Sequence, residues 1–387
     1  MARGEYHTVL IESIATGGAG LARLNGKSIF IELSAPGDLL RCRITKEHKN
    51  WAEAELSEIL EPSAQRVYPV CPLYGRCGGC SLQHLAYKAQ ITAKKNILKD
   101  TFERIGGIKA PAIKTRSGEP FEYRNRVQFH CGSPGGGLQT GFRERKSSDL
   151  VSLEDCCVAD AGIRTALSTG SIRPPPGKER FTVYSRGTTF LCEGETERGH
   201  VFILDRDLLV DTGVFFQSNA AMLELLLGDL LKAVSAANRN LAMADIYCGV
   251  GTFAAFLGGG FQAIHLVEEN KTALSLAREN VRGKKVNYYA LAADEWAKKF
   301  DRGEEACGFV VMDPPREGLS SAIKEWLVNQ GPELAIYISC DPATLARDCK
   351  DLLRGGYALK EITMYDFYPQ TAHIESLAIF TRSNNEY

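Results

Sequence analysis

Two residues in the C-terminal part of the chain are of types that do covalent and proton-transfer chemistry. Cys340 follows the apolar run Leu334 to Ile338 and opens Cys340-Asp341-Pro342-Ala343-Thr344-Leu345, so it falls where a buried strand ends and a helix begins near Pro342. A thiol beside a helix N-terminus is expected to lose its proton more readily, and the thiolate attacks electrophilic carbon. Alone, the residue reads more simply as a small buried hydrophobe, the commoner fate of cysteine. Glu375 changes that balance. It ends the stretch Tyr368-Pro369-Gln370-Thr371-Ala372-His373-Ile374-Glu375, directly before the apolar strand Ser376 to Phe380, and a carboxylate at a strand edge can take a proton from a substrate.

A ring that needs both groups is uracil. Its carbon-5 is a poor nucleophile, and addition of a thiolate at carbon-6 converts the ring to an enolate able to accept a methyl group. The carbon-5 proton must then leave; Glu375 would take it, and elimination would free Cys340. A donor site is expected upstream. Strand Ala242 to Tyr247 runs into Cys248-Gly249-Val250-Gly251-Thr252-Phe253, with glycines where the backbone must turn under a ligand. Glu268, at the end of the next strand in Leu266-Val267-Glu268, can accept both hydroxyls of a ribose. Ala254 stands where a dinucleotide fingerprint has its third glycine, which favours S-adenosylmethionine over a nicotinamide cofactor. Asp313-Pro314-Pro315-Arg316 follows Phe309 to Met312 at another strand end and reads either as a rigid loop facing a ligand or as a loop terminator.

Cys71, Cys77 and Cys80 lie among Gly75, Gly78 and Gly79, so three sulfurs can converge on one centre, with Cys156 or Cys157 to complete it. Four thiolates suit zinc nearly as well as an iron-sulfur cluster.

The elements that must position these groups fall into three segments, a multidomain α/β organisation. Residues 1–60 alternate apolar and polar positions, with Asn25-Gly26 and Pro36-Gly37 as turns, and predict a small all-strand barrel. Residues 61–210 predict a central α+β domain. Within it Ser81 can cap a helix whose Ile91, Leu98, Phe102 and Ile105 face a core, whose polar side reads as solvated, and which Gly106-Gly107 ends. Strands are expected at Tyr123 to Phe129 and Leu138 to Arg143. Residues 211–387 alternate helices with short apolar strands, the pattern of a parallel, doubly wound sheet. A net charge of −1 over 387 residues gives no global vote for nucleic acid. Local basic residues do: Arg124, Arg126, Arg143, Arg145 and Lys146, beside Tyr123, Phe129 and Phe142, could meet phosphates and bases. No apolar run is long enough to span a membrane, and the N-terminus does not read as a secretory signal, so a cytoplasmic protein is expected.

With these motifs in place, the chain resembles over nearly its whole length the RNA uracil-carbon-5 methyltransferases, in the branch with a TRAM domain and an iron-sulfur cluster that modifies 23S ribosomal RNA. Ser339-Cys340-Asp341-Pro342 with Thr344-Leu345-Ala346-Arg347-Asp348, and Pro369-x-Thr371-x-His373-x-Glu375, carry the resemblance most specifically. It implies an OB-like TRAM barrel from about Val9 to Leu60, a central domain holding the cluster, and a Rossmann-like methyltransferase domain. It further implies Cys340 as nucleophile and Glu375 as base, with Gln217, Tyr247, Thr252, Glu268 and Asp313 binding S-adenosylmethionine and Asp294 added near the adenine. A [4Fe-4S] cluster on Cys71, Cys77, Cys80 and Cys156 is implied too, Cys156 because Cys156-Cys157-Val158 is similar to the family's Cys-Pro-aliphatic pattern; zinc is the alternative. Asp341 and Thr252 stand where the family often has asparagine, and Tyr368 replaces a phenylalanine. The expected substrate is a single-stranded or remodelled loop of RNA, met by a monomer. The rivals are the same chemistry on transfer RNA, an amino-group methyltransferase that needs no Cys340, and an RNA-binding assembly factor with an inert domain.

Overall fold

Asn25 and Gly26 both adopt positive φ, 50° and 78°, the mirror-image turn whose twist suits a two-residue hairpin, and they join Gly20–Leu24 to Lys27–Ile31. That hairpin belongs to the N-terminal sheet of the protein, seen in a computed structural model that describes residues 3–132, 139–283, 285–300 and 306–382. The sheet has six strands, one of them the two-residue Ser13–Ile14. Alternate residues of its strands, among them Val9, Ile29, Ile31, Leu40, Cys42 and Ile44, close a small core of their own.

A second, five-stranded antiparallel sheet is built from Arg126–Gly132, Gln139–Arg143, Leu150–Ser152, Arg180–Arg186 and Thr189–Cys192. Leu138, expected to open one of these strands, lies outside the described residues. Phe129 and Phe181 are fully buried there, and Tyr123 is nearly so, which corrects the expectation that Tyr123 and Phe129 stack on bases.

The third sheet has eight strands. Val286–Tyr289, Ile264–Val267, Ala242–Ile246, Cys307–Met312 and Leu334–Ser339 run parallel, with buried apolar residues facing helices on both sides. The expectation of a purely parallel sheet needs correction, because Glu375–Arg382 inserts antiparallel beside Leu334–Ser339 and pairs on its other edge with Tyr357–Tyr365. A short connection of residues 366–374 makes this pair a hairpin, and a hairpin can only be antiparallel. Lys114–Arg116, from far earlier in the chain, adds the last strand parallel to Tyr357–Tyr365.

Helix Tyr87–Thr101, continued by a π-helical turn to Gly106 and stopped by Gly107 at φ 62°, packs against this sheet's helix Pro342–Arg354. Three details differ from expectation, the first being Ile105, which was expected to face a core and is 49% exposed. Ser81 does not cap the helix, because the backbone N–H groups of Ser81 and Leu82 both donate to the Gln370 carbonyl and the helix starts only after Ala86. The helix's polar side is solvated at Lys88, Thr92, Lys95, Asn96, Lys99 and Asp100 but not at two positions: Gln90 is 0% and Lys94 1% exposed. Among the described residues no helix is long and apolar enough to cross a membrane.

Candidate active site

The parallel strands end on one face of the sheet, where ligands sit in folds of this kind. After Ile246 the chain turns sharply: Tyr247, Gly249 and Gly251 all have positive φ, at 66°, 54° and 81°. Gly251 has no alternative, since a Cβ there would come within 2.9 Å of Val281 and 3.1 Å of Ala277. Gly249 is the reverse case, with nothing within 4 Å of where a Cβ would be, so its backbone faces open space. That space is a cavity of about 710 Å³, lined by Gln217, Tyr247, Gly249, Glu268, Asp294, Asp313, Arg316, Cys340 and Glu375 among others.

The Glu268 carboxylate is held by two backbone donors, Gly249 N–H at 3.0 Å and Asn270 N–H at 2.8 Å, which leaves acceptor capacity directed to the cavity. Gln217 donates to Asp313 at 3.3 Å, and Ser320 donates to Asp294. Thr252 is the exception among the expected cofactor residues. It is 7% exposed, starts helix Thr252–Leu257, and is not part of the cavity wall.

Cys340 and Glu375 meet because of strand register. Ser339 pairs with Ser376, so one step further along the antiparallel pair sets Cys340 beside Glu375. Burial, then Asp313, raises the Glu375 carboxyl well above the usual carboxylate range, with Arg316 opposing. Burial also raises Asp313, to about 7. Cys340 is pushed up to about 11 by burial and by the Glu375 and Asp313 carboxyls, again against Arg316. The thiol therefore moves opposite to the helix-terminus expectation. Helix Pro342–Arg354 does begin beside it, but the Asp341 side chain caps the free N–H groups of Ala343 and Thr344, both at 2.9 Å.

A second cavity, about 790 Å³, also has Cys340 in its wall and collects residues from all three parts of the chain: Gly17 and Glu32, then Arg124, Arg143, Arg145 and Lys146, then Arg316 and His373. Arg316 and Cys340 line both cavities. Arg126, expected with the basic group, instead donates to the Thr212 and Val214 carbonyls inside the protein.

A family model described as tRNA (uracil-5-)-methyltransferase matches residues 200–383, and a TRAM domain model matches residues 2–57. An uncharacterized RNA methyltransferase of Treponema denticola is 34% identical over 396 aligned residues, covering 93% of this chain and 95% of that protein. The chain belongs to the S-adenosylmethionine-dependent RNA (uracil-5-)-methyltransferases. The 23S rRNA (uracil(1939)-C(5))-methyltransferase RlmD of Aeromonas hydrophila is 30% identical over 94% of this chain and 93% of its own length. In fold, the tRNA (uracil-54, C5)-methyltransferase of Pyrococcus abyssi is similar with a TM-score of 0.72, over 97% of this chain and 100% of that one, at 24% identity.

In this uracil-5-methyltransferase a smaller cavity adjoins the basic one, the two sharing Gly79, Cys80, Arg124 and Phe142. Cys71, Cys77, Cys80, Cys156 and Cys157 all line it, with Leu153 and Val158 as apolar wall. The four expected thiols are therefore brought together, and Cys157 makes a fifth. Among the described residues no group of three or more His, Cys, Asp or Glu side chains is arranged to hold a metal ion, so the sulfurs share a cavity without forming a closed coordination shell. Gln83 ties two of them, accepting from Cys71 N–H at 3.1 Å and donating to the Cys157 sulfur at 3.7 Å. Arg316 is what sequence reading passed over: quoted only as the end of a loop motif, it is a cation facing the cysteine and the acids. Its position directly after a strand-end Asp-Pro-Pro was the available signal.

Proposed function

We propose that this methyltransferase acts on a uridine of 23S ribosomal RNA, with Cys340 as nucleophile and Glu375 as general base. The observation that carries the reading is Cys340 standing where two cavities meet, one walled by Glu268 and Asp313, the other by Arg124, Arg143, Arg145 and Lys146. A flipped-out uracil entering from the basic side would reach the thiol at the boundary with the cofactor cavity. Sulfur adds at carbon-6 as thiolate, and the ring's negative charge spreads to its carbonyl oxygen. S-adenosylmethionine, when bound, supplies the methyl group and a sulfonium charge that favours the ionised forms of the cysteine and the acids facing it. Carbon-5 then carries both a methyl group and a hydrogen. Glu375 takes the proton, the electron pair restores the ring double bond, and the carbon-sulfur bond breaks to return the Cys340 thiolate. Gln217, Tyr247, Glu268, Asp294 and Asp313 would hold the donor from its cavity wall.

Cys71, Cys77, Cys80 and Cys156 would hold a [4Fe-4S] cluster, which would cross-link the 71–80 loop to residue 156 through iron-sulfur bonds. The ribosomal substrate is favoured by similarity to the Aeromonas enzyme along most of both chains; the description of the matching family model favours transfer RNA as the second reading.

Anaerobically purified protein mixed with S-adenosylmethionine and 5-fluorouridine-substituted 23S or transfer RNA tests all of this. Fluorine cannot leave as a proton, so a methylated adduct on Cys340 is expected with the ribosomal RNA. An adduct with transfer RNA alone transfers the proposal to that substrate. Methylation of natural RNA without any adduct removes the covalent mechanism.

A further inference from the structure

Glu375 is the first residue of its strand, and the connection that delivers it, residues 366–374, is gripped from outside the sheet. Helix Tyr87–Thr101 turns three polar side chains onto this connection from positions 87, 90 and 94, which fall on one face of a helix. Tyr87 donates to Asp366 at 2.8 Å. Lys94 donates to the other oxygen of Asp366 at 2.5 Å and to the Tyr368 carbonyl at 3.0 Å. Gln90 bonds Gln370 twice, side chain to side chain at 2.9 Å and from the Gln370 N–H at 3.0 Å. The Gln370 carbonyl takes the N–H groups of Ser81 and Leu82, so every polar group of that residue is engaged, and its φ of 67° is a conformation that persists only when surroundings impose it.

Lys94 is 1% and Asp366 0% exposed. An ion pair so far from water returns little net stability and is better understood as fixing one arrangement of the chain. The arrangement fixed here has consequences at both ends. Thr371 to Ile374 line the basic cavity, and Glu375 lines the cofactor cavity. Burial and nearby charges, with no hydrogen bond among the described residues, are what perturb the Glu375 carboxyl, so its aim is inherited from the backbone that the helix holds.

We infer that Tyr87, Gln90 and Lys94 are positioning residues for proton removal from carbon-5, acting through the 366–370 turn on Glu375. The inference rests on the reading of Glu375 as base. It separates the two halves of the reaction: attack by the Cys340 thiolate and methyl transfer do not need Glu375, whereas release does.

The test uses full-length Gln90→Leu and, independently, the pair Lys94→Met with Asp366→Leu, since exchanging a buried ion pair for apolar residues of similar size commonly preserves the fold. On 5-fluorouridine-substituted ribosomal RNA both should form the Cys340 adduct at rates within about threefold of the native protein. On natural RNA turnover should fall by about ten- to a hundredfold, the scale of a misplacement near 1 Å, and a covalent RNA-protein band should build up on denaturing gels. Unchanged turnover in a folded variant overturns the inference, as does a parallel fall in adduct formation, which would make the contacts structural only. Absence of adduct from the native protein itself would overturn the covalent reading first and this inference with it.

Discussion

Among the described residues Cys340 is the one cysteine of the cofactor cavity's wall and faces two carboxyls and Arg316, whereas Cys71, Cys77, Cys80, Cys156 and Cys157 share the wall of one smaller cavity. In the first setting burial and two acids push the thiol up to about 11. In the second, Cys71 is lowered, chiefly because Cys157 donates a hydrogen bond to it, while Cys80 is raised to about 12 by burial. The difference shows two ways of leaving a sulfur unsatisfied. A thiol among acids keeps its proton until positive charge arrives, and thiols among thiols ionise at one another's expense. Under the proposed function both needs are met by cations, a sulfonium in one cavity and iron in the other.

Removing Cys340 is the most severe way to break that contrast. Cys340→Ala should lower methyl transfer to natural RNA on the order of 10⁴-fold, measured by incorporation of labelled methyl; near-native transfer would restore the amino-methylation rival. Glu375→Gln should reduce turnover by about 10²- to 10³-fold while the covalent RNA complex accumulates, because the step it serves comes after methyl transfer. On the thiol-rich side, Cys156→Ser should lose bound iron and about 2–4 kcal/mol of stability to denaturant, the scale on which a lost cross-link acts. Cys157→Ser should retain iron; the opposite pattern would make Cys157 the fourth ligand.

Acidity of Cys340 sharpens the comparison without altering a residue. Because its pKa is raised to about 11, the thiol form dominates at neutral pH, where the thiolate fraction is about 10⁻⁴. Alkylation of the Cys340 peptide, followed by mass spectrometry, should therefore rise about tenfold per pH unit and level off near pH 11. S-adenosylmethionine should shift that curve to lower pH, and S-adenosylhomocysteine, which lacks the sulfonium charge, should not. The smallest effect concerns the helix beside the nucleophile: Asp341→Ala removes its N-cap and should cost about 1 kcal/mol, while Asp341→Asn should stay within about 0.5 kcal/mol, both read from thermal unfolding.

Most of the catalytic face could be read in the sequence because its chemistry lies at strand ends, and strand ends are punctuated. Gly249, Glu268, Asp313 and Cys340 each follow an apolar run, so their convergence on one edge followed from the sheet. The antiparallel insertion of Glu375–Arg382 was harder, since its apolar pattern does not encode direction. Lys94 and Gln90 were read as solvent-facing, and locally nothing contradicts that. Their partners Asp366 and Gln370 lie 272 and 280 residues away, and a polar residue buried against a distant polar residue has the same periodicity as one facing water. The acidity of Cys340 was misjudged for a related reason: the helix start was visible, but the acids flanking the thiol arrive from other strands.

Lys114–Arg116 is a strand of three residues, and it covers the outer edge of Tyr357–Tyr365 at its catalytic end, Thr363 to Tyr365. During synthesis this piece emerges about 240 residues before the strand it caps, so closure of the catalytic sheet is among the last pairings the growing chain can make. A fragment beginning at residue 211 would carry the whole row of chemistry at the strand ends and still expose an unpaired β-edge, with Asp366 deprived of its lysine. Such a fragment should self-associate more readily than the full chain, and supplying residues 61–210 in trans should suppress it.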